Sequence, residues 1–329
     1  MSFSLCVAQL NFTVGDMAGN ARKIIDAAHA AHAQGARLLL TPEGAISGYI
    51  AEDLLLRPAF MAACDEAVQT VARQTAGLQD LVIVVGHPVG RDARGPSVTV
   101  SERHNAASVI CNGQVTAGAE LLAVINASPF HLGKGAEREA VMRERARDVG
   151  LPLVWAHWVG GQDEVVFDGQ SFAVNADGTL AGRAPAFEEK LWFAQVEQAR
   201  PAIEIKADVA PPPSPERELW DALVLGLRDY VRKNGFKSVA LGLSGGIDSA
   251  LVLAIAVDAL GADAVHTVMM PSPYTAGISV QDAHEMARRL GVRHTELSPL
   301  RMRATLHPTG CLQRCRLREK CRLRRPSLQ

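Results

Sequence analysis

The chain has 329 residues, of which 48% are hydrophobic, and its 34 Lys and Arg nearly balance its 35 Asp and Glu. A chain of this length can bury one large core or two medium ones, so two domains are expected. No run of about 18 apolar residues occurs, and the first residues lack the basic patch, apolar stretch and cleavage site of a secretory signal. We therefore expect a globular, cytoplasmic protein with no membrane partner.

The first 200 residues alternate between short apolar runs of strand length and segments with helical periodicity, which is typical of a layered α/β domain. Strands are predicted at 4–10, 37–41, 81–86 and 121–127, helices at about 18–36, 58–76 and 136–149, and hairpin turns at Asn112-Gly113 and Asp177-Gly178.

A proline-rich segment follows at 201–215, and its prolines cannot continue a helix or a central strand. We predict a linker there, between a domain at 1–200 and a second domain at 216–300. The second domain is expected to be the front of a doubly wound parallel sheet. Its predicted elements are helices at about 216–233, 249–260 and 279–290 and strands at 238–243, 264–270 and 292–297.

A glycine-rich loop lies between a buried strand and a helix start in this second domain. There, free backbone N–H groups and the helix dipole favour anions, so the loop is predicted to hold phosphates. Asp248 suits a bridging Mg²⁺, while a Gly-Ser turn with an N-cap is the alternative interpretation. The spacing matches neither Gly-x4-Gly-Lys-Ser/Thr nor Gly-x-Gly-x-x-Gly. The loop residues are Gly242, Leu243, Ser244, Gly245, Gly246, Ile247, Asp248 and Ser249.

This loop resembles the SGGxDS loop of the PP-loop ATP pyrophosphatases, which split ATP into AMP and pyrophosphate to activate a carboxylate or carbonyl. The segment Met270–Thr275, followed by Ile278-Ser279 and Asp282-Ala283, is similar to the next loop and helix of the NAD synthetases in that class. The resemblance runs from about 216 to 297. It implies that residues 242–249 bind ATP and that Asp248 is a Mg²⁺ ligand.

Thr41-Pro42-Glu43-Gly44 ends a strand, and a carboxylate held there by a proline-stiffened turn is well placed to act as a general base. A solvated turn glutamate would show the same local sequence. The residues that follow, Ser47-Gly48-Tyr49 and 52–57, resemble the nitrilase-like glutaminase domain of NAD synthetases. That resemblance implies an α-β-β-α sandwich in which Glu43 is the amidase base.

Two further segments resemble the same domain: Asn126–His131, followed by Lys134, and Val159–Gly169. By matching position, Ser128 and Lys134 are implied to contact glutamine, whereas the alternative makes them a strand-end hydroxyl and a helix-start lysine. With both halves in this order, the resemblance to glutamine-dependent NAD synthetases covers most of residues 1–300.

The chain also departs from that family. A nitrilase-type amidase needs a Lys and a nucleophilic Cys beside its Glu, and the segment that carries them is missing near Val115, so the sandwich is expected to be incomplete. Cys111 precedes a hairpin turn and is a weak substitute. Cys6 and Cys64 are interpreted as a strand-core residue and a helix residue, without the positive surroundings of an activated thiolate.

The segment 301–329 carries eight Arg and one Lys against one Glu, a net charge of +8, so the remainder of the chain is −9. It lacks apolar periodicity and is expected to be disordered. Zinc binding by His307, Cys311, Cys315 and Cys321 matches no standard spacing, and a nucleic-acid-binding tail is a further alternative. The favoured interpretation is a translated frameshift of a truncated synthetase, with no nucleic acid as partner.

The resemblance implies an enzyme that uses ATP to amidate deamido-NAD to NAD with ammonia from glutamine, and a homo-oligomer in the intact family. Its implied small-molecule partners are glutamine, deamido-NAD and ATP, with Mg²⁺. The alternative is a catalytically dead remnant, and this chain acting alone is expected to be inactive, because the amidase Lys and Cys and the rest of the synthetase domain are absent.

Overall fold

The computed structural model describes residues 2–94, 99–110, 121–197 and 203–297. The chain forms two compact units, which divide after Phe236. The predicted hairpin at Asn112-Gly113, Cys111, and the basic segment from 301 lie outside the described residues. Among the helices of the described ranges, none is long and apolar enough to cross a membrane.

Within its described residues, the first unit contains a six-stranded and a four-stranded sheet in addition to four α-helices. Its elements are β1 Ser2–Gln9, α1 Met17–Ala33, β2 Ala36–Leu40, α2 Pro58–Thr75, β3 Val82–Arg94, β4 Thr99–Ile110, β5 Leu122–Asn126, α3 Lys134–Val149, β6 Leu153–His157, β7 Val159–Gln162, β8 Val165–Asp168, β9 Phe172–Val174, β10 Leu180–Arg183, β11 Lys190–Glu197, β12 Glu204–Ala207 and α4 Pro215–Lys233.

The two large sheets have the orders β12-β11-β1-β2-β3-β4 and β10-β9-β6-β5, and β7 pairs with β8 as a separate ribbon. β1, β2 and β3 run parallel, as do β5 and β6. β4 and β5 are the end strands of their sheets within the described residues, and the segment 111–120 lies between them in sequence.

Three apolar layers hold this unit together. Buried residues of α1 and α2 pack against one face of the six-stranded sheet, as Ile24 and Val71 do. The inner faces of the two sheets enclose a second core that contains Leu5, Val154 and Trp192. α3 covers the outer face of the smaller sheet through Ala146. The expected α-β-β-α sandwich is confirmed.

α4 packs against the first unit, although the sequence grouped it with the second domain. Its start follows an N-cap at Ser214, whose hydroxyl accepts the N–H of Arg217, with Pro215 in the first turn. Ala222 and Leu225 bury themselves against Val159 and its neighbours. The linker predicted at 201–215 therefore lies before a helix that completes the first compact unit.

The described part of the second unit, residues 237–297, is a parallel sheet of order β13-β14-β15 with two α-helices. Its elements are β13 Val239–Gly242, α5 Ile247–Leu260, β14 Val265–Met269, α6 Gly277–Leu290 and β15 Arg293–Glu296. The strand–helix–strand order matches the expected front of a doubly wound sheet. α5 begins at Ile247, two residues before its predicted start, because Gly246 takes the N-cap position.

Candidate functional site

Glu43 lies just beyond the carboxyl end of β2, in a turn held close to β3. The Thr41 hydroxyl donates to the Val84 carbonyl at 3.1 Å and accepts the Gly86 N–H at 3.2 Å. A Cβ added at Gly86 would lie 2.3 Å from the Pro42 carbonyl oxygen, so the backbones of β3 and the Glu43 turn meet where only glycine fits. This packing places the Glu43 carboxylate at the mouth of the sheet.

The Glu43 carboxylate is anchored across the sandwich. Its Oε2 accepts the backbone N–H of Ala127, just after β5, at 3.0 Å. The backbone carbonyl of Glu43 accepts the indole N–H of Trp158 at 2.6 Å. Trp158 is fully buried and packs its ring on Phe12. Burial and the Glu43 charge both raise the pKa of the nearby Tyr49.

Ser128 lies one residue beyond the Glu43 contact, so the structure brings these two predicted site residues together. The Ser128 N–H donates to Asn126 Oδ1 at 3.0 Å, and its hydroxyl accepts from Arg138 at 3.4 Å. Lys134 is the first residue of α3, and its Nζ donates to the Pro129 carbonyl at 2.6 Å. The lysine therefore closes the same loop.

A buried polar network lies behind this loop. Arg138 forms an ion pair with Asp168, and its guanidinium also donates to His157 Nε2 at 2.7 Å. His157 Nδ1 lies 3.2 Å from the Asn126 carbonyl, which makes Nδ1 the protonated nitrogen. Since Arg138 also reaches Ser128, the network ties α3, β6 and β8 to the loop that carries Ser128.

The protonation states in the network follow from these contacts. Burial lowers the pKa of His157. Asp168 acts to raise this pKa, and the Arg138 charge acts to lower it. Burial would raise the pKa of Asp168, but the neighbouring His157 and Arg138 side chains outweigh burial and hold this pKa far below its usual range. The network thus holds an Arg⁺–Asp⁻ pair beside a neutral imidazole.

The two cysteines of the described ranges are both buried and free. Burial raises the pKa of each thiol to about 12, and the Asp65 charge contributes for Cys64. A thiol with such a pKa holds almost no thiolate at neutral pH, so neither residue is an activated nucleophile. Their predicted positions in a strand core and on a helix are confirmed.

A polar cleft of about 760 Å³ opens where α4 meets the first unit. Lys233 lies at its edge and donates to the carbonyls of Phe12 and Gly161 at 3.0 and 2.8 Å. Burial lowers the pKa of Lys233 to about 8, against the opposing charge of Asp229. Asp229 accepts the Gly161 N–H and the Asn11 amide, so its main role is to hold α4 in place.

In the second unit, the predicted phosphate loop joins β13 to α5. The Ser244 and Ser249 hydroxyls lie 3.0 Å apart, and the Ser249 hydroxyl also donates to the Gly246 carbonyl at 3.0 Å. Gly245 adopts φ +80°, and a Cβ there would lie 2.1 Å from the Ser279 carbonyl oxygen of α6. The loop is therefore closed by its own serines and held tightly against α6.

Asp248 lies exposed in the first turn of α5, with Ile247 before it and Ser249 after it. Beside the loop is a cavity of about 220 Å³, lined by loop residues and by Asp282 and Met286 of α6. The first-turn N–H groups of α5 lie at the amino end of the helix, where the positive end of the dipole favours anions. The loop thus places the amino end of α5 beside this cavity, as the predicted phosphate site requires.

The sequence did not predict the Arg138–His157–Asp168 network, although Asp168 lies within the segment Val159–Gly169 that resembles the glutaminase domain. The available signal was a set of ionisable residues inside apolar strands, at His157 and Asp168, because such groups are rarely buried without partners. Arg138 gave no comparable signal among the many charged residues of α3.

Comparison with known proteins gives a family match for each half of the chain. A carbon-nitrogen hydrolase family model matches residues 91–202, and an NAD synthase model matches residues 219–307. The fold and these matches define a carbon-nitrogen hydrolase domain followed by the front of an NAD synthase domain. The chain is 38% identical over 347 residues to the glutamine-dependent NAD(+) synthetase of Rhodobacter capsulatus, covering 88% of the chain.

The solved structure of a glutamine-dependent NAD+ synthetase from Acinetobacter baumannii, in complex with ADP, superposes with a TM-score of 0.80 at 33% identity. The superposition covers 93% of this chain and 66% of the Acinetobacter baumannii chain. A synthetase from Cytophaga hutchinsonii, 20% identical with a TM-score of 0.73, shares the fold. The chain belongs to the glutamine-dependent NAD(+) synthetase family, and it spans 61% of the length of the Rhodobacter relative.

Proposed function

We propose that the chain acts in the ATP-dependent amidation of deamido-NAD to NAD, with glutamine as the family's source of ammonia. The nicotinate carboxylate attacks the α-phosphorus of ATP and releases pyrophosphate, and ammonia then attacks the acyl carbon and releases AMP. The observation that carries the proposal is the loop 244–249, whose two serine hydroxyls converge at the amino end of α5.

In this proposal the loop binds the departing pyrophosphate. The first-turn N–H groups of α5 donate to its oxygens, and the Ser244 and Ser249 hydroxyls turn from each other toward the phosphates. Gly245, fixed against Ser279, keeps the loop in position without reorganisation when ATP binds. The adjoining residues Gly242, Leu243 and Gly246 complete the ATP loop.

Mg²⁺ fits Asp248. The carboxylate is exposed beside the loop, makes no hydrogen bond or ion pair with any described residue, and offers the oxygen ligands that this ion prefers. When bound there, Mg²⁺ would neutralise phosphate charge during the release of pyrophosphate.

In the first unit we propose that Glu43 is the amidase base and that Ser128 and Lys134 contact glutamine. The support is their convergence on one loop, through Ala127 and Pro129. The nucleophile is a separate matter, because Cys6 and Cys64 are buried thiols with pKa values of about 12. We therefore expect these two cysteines to make no contribution to glutamine hydrolysis.

The test is ATP binding by the full chain with Mg²⁺, measured by isothermal titration calorimetry. We expect binding that weakens at least about tenfold in Asp248→Ala, since that change removes a charge-assisted metal contact. Asp263→Ala, which alters an exposed acid elsewhere in the same unit, is the matched control. Equal affinity of wild type and Asp248→Ala would reject the proposed ATP loop and favour the non-catalytic alternative, to which the named relatives lend no support.

A second assay separates the amidase half. Ammonia release from glutamine is compared between wild type, Glu43→Gln and the double variant Cys6→Ser/Cys64→Ser. Release that Glu43→Gln abolishes and the double variant preserves would support the proposed base. Release that falls with the two cysteines would contradict the assignment of both thiols as core residues.

A further inference from the structure

Three side chains with metal-binding groups meet in the second unit, at the edge of its described sheet. His284 projects from α6, while His294 and Glu296 lie two residues apart on β15 and therefore on one face of the strand. One ligand atom from each of the three lies within 4.8 Å of the others. His284 Nε2 and Glu296 Oε1 are already 2.5 Å apart, and the two imidazole rings have centroids 4.8 Å apart.

His294 is oriented by its other ring nitrogen. Its Nδ1 forms a hydrogen bond of 2.8 Å with the Thr267 hydroxyl of β14, which fixes the ring plane. Its Nε2 is buried and has no hydrogen-bond partner among the described residues. A hydrogen bond at one imidazole nitrogen that aims the other at a metal is the common outer-shell arrangement of histidine ligands.

A surface ion pair explains only part of this geometry. The contact between His284 and Glu296 by itself is an ordinary exposed pair that contributes little to stability. It does not account for a second imidazole with a buried nitrogen that lacks a partner, because leaving such a group unpaired is costly. A cation that receives the lone pair of His294 accounts for all three side chains.

We propose that His284, His294 and Glu296 bind a divalent transition-metal ion of the zinc class. Two imidazoles and one carboxylate suit zinc and its neighbours, whereas Mg²⁺ and Ca²⁺ prefer oxygen ligands alone. His284 and Glu296 are exposed, so water completes the coordination. Ligand atoms around tetrahedral zinc lie about 3.3 Å apart, so the site closes by small movements of the exposed His284 and Glu296 side chains.

The ion would connect α6 to β15. α6 is also the helix whose Asp282 and Met286 line the cavity beside the phosphate loop, and whose Ser279 contacts Gly245. The site would therefore brace the helix that supports the loop. It does not depend on the proposed reaction, since its ligands lie outside the loop.

The experiment uses the full chain after dialysis against a chelator. Zn²⁺ is titrated by calorimetry, and Co²⁺ is added separately to record the visible absorption of a tetrahedral site. We expect one ion per chain at this site, a rise in melting temperature on adding Zn²⁺, and an affinity at least about tenfold weaker in His294→Ala. Glu296→Gln, at an exposed position, should weaken binding as well while the fold is preserved.

Two controls give the result its meaning. His266→Gln alters a neighbouring imidazole that bonds Thr295 instead and should leave the affinity unchanged. A variant with Cys311, Cys315 and Cys321 all changed to Ser should also bind Zn²⁺ as wild type does. Absence of binding by the wild type, equal binding by the His294 and Glu296 variants, or loss of binding in the triple-cysteine variant would each overturn the proposal.

Discussion

The Glu43 carboxylate accepts the backbone N–H of Ala127 at 3.0 Å, although 84 residues separate the two in sequence. Ala127 is almost fully buried, so its N–H has no access to water if this acceptor is lost. We expect Glu43→Ala to lower the free energy of unfolding by about 1–3 kcal/mol and Glu43→Gln, which keeps an acceptor, by less than about 1 kcal/mol. Urea denaturation of the three proteins measures the difference, and equal losses would show that this bond does not hold the turn.

The close approach of Gly86 to the Glu43 turn gives a steric prediction. A Cβ at this position would lie 2.3 Å from the Pro42 carbonyl oxygen and 2.8 Å from the Gly44 nitrogen, and both are backbone atoms. We expect Gly86→Ala to destabilise the chain by about 1–3 kcal/mol through overpacking. The control Gly77→Ala adds a methyl group into open space. A melting temperature that changes equally in both variants would contradict the predicted clash.

The buried pair Arg138–Asp168 should be costly to break on one side alone. Arg138→Met leaves the fully buried Asp168 carboxylate without its cation, and we expect a loss of about 3–5 kcal/mol. The double variant Arg138→Met/Asp168→Leu removes both charges and should recover much of that loss. Chemical denaturation of wild type, the two single variants Arg138→Met and Asp168→Leu, and the double variant gives the coupling free energy of the pair. A double variant less stable than either single one would exclude this interpretation.

Burial of His157 makes stability depend on pH. Its pKa is lowered in the folded state, so the unfolded chain binds the extra proton as the pH falls below about 6.5. Stability is then fully present above that pH and lost below it, by up to about 1.4 kcal/mol per pH unit from this residue. His87, whose pKa burial also lowers, adds to the same window. His157→Gln should show a shallower slope between pH 6.5 and 5 in denaturation experiments; an unchanged slope would argue that His157 is protonated in the fold.

The proposed phosphate loop depends on glycine at position 245. Gly245 combines φ +80° with a potential Cβ contact of 2.1 Å to Ser279, so Gly245→Ala must displace the loop or α6. We expect at least a tenfold loss of ATP affinity, measured by calorimetry. Gly277→Ala, at the start of α6 with nothing within 4 Å of the new methyl group, serves as the control. Retained affinity in Gly245→Ala would mean that ATP binds elsewhere.

Local sequence was enough to identify most elements of the fold. The predicted helices at 58–76, 216–233 and 279–290 correspond to α2, α4 and α6 within two residues, because apolar periodicity and caps act locally. The turn predicted at Asp177-Gly178 closes the hairpin of β9 and β10, where the Asn175 N–H donates to the Thr179 carbonyl. The strand predicted at 81–86 was too short, since β3 continues to Arg94 by pairing with β4.

The sequence by itself determined the sandwich class, the strand–loop–helix order around residues 242–249 and the family, because these rest on residues adjacent in the chain. Tertiary structure alone decided that α4 completes the first unit, that Arg138, His157 and Asp168 share one buried network, and that His284 meets His294 and Glu296. Each of these groupings joins separate elements, so strand register and helix packing set it rather than any local pattern. A charged side chain shows its role only when its partners are brought within hydrogen-bonding distance.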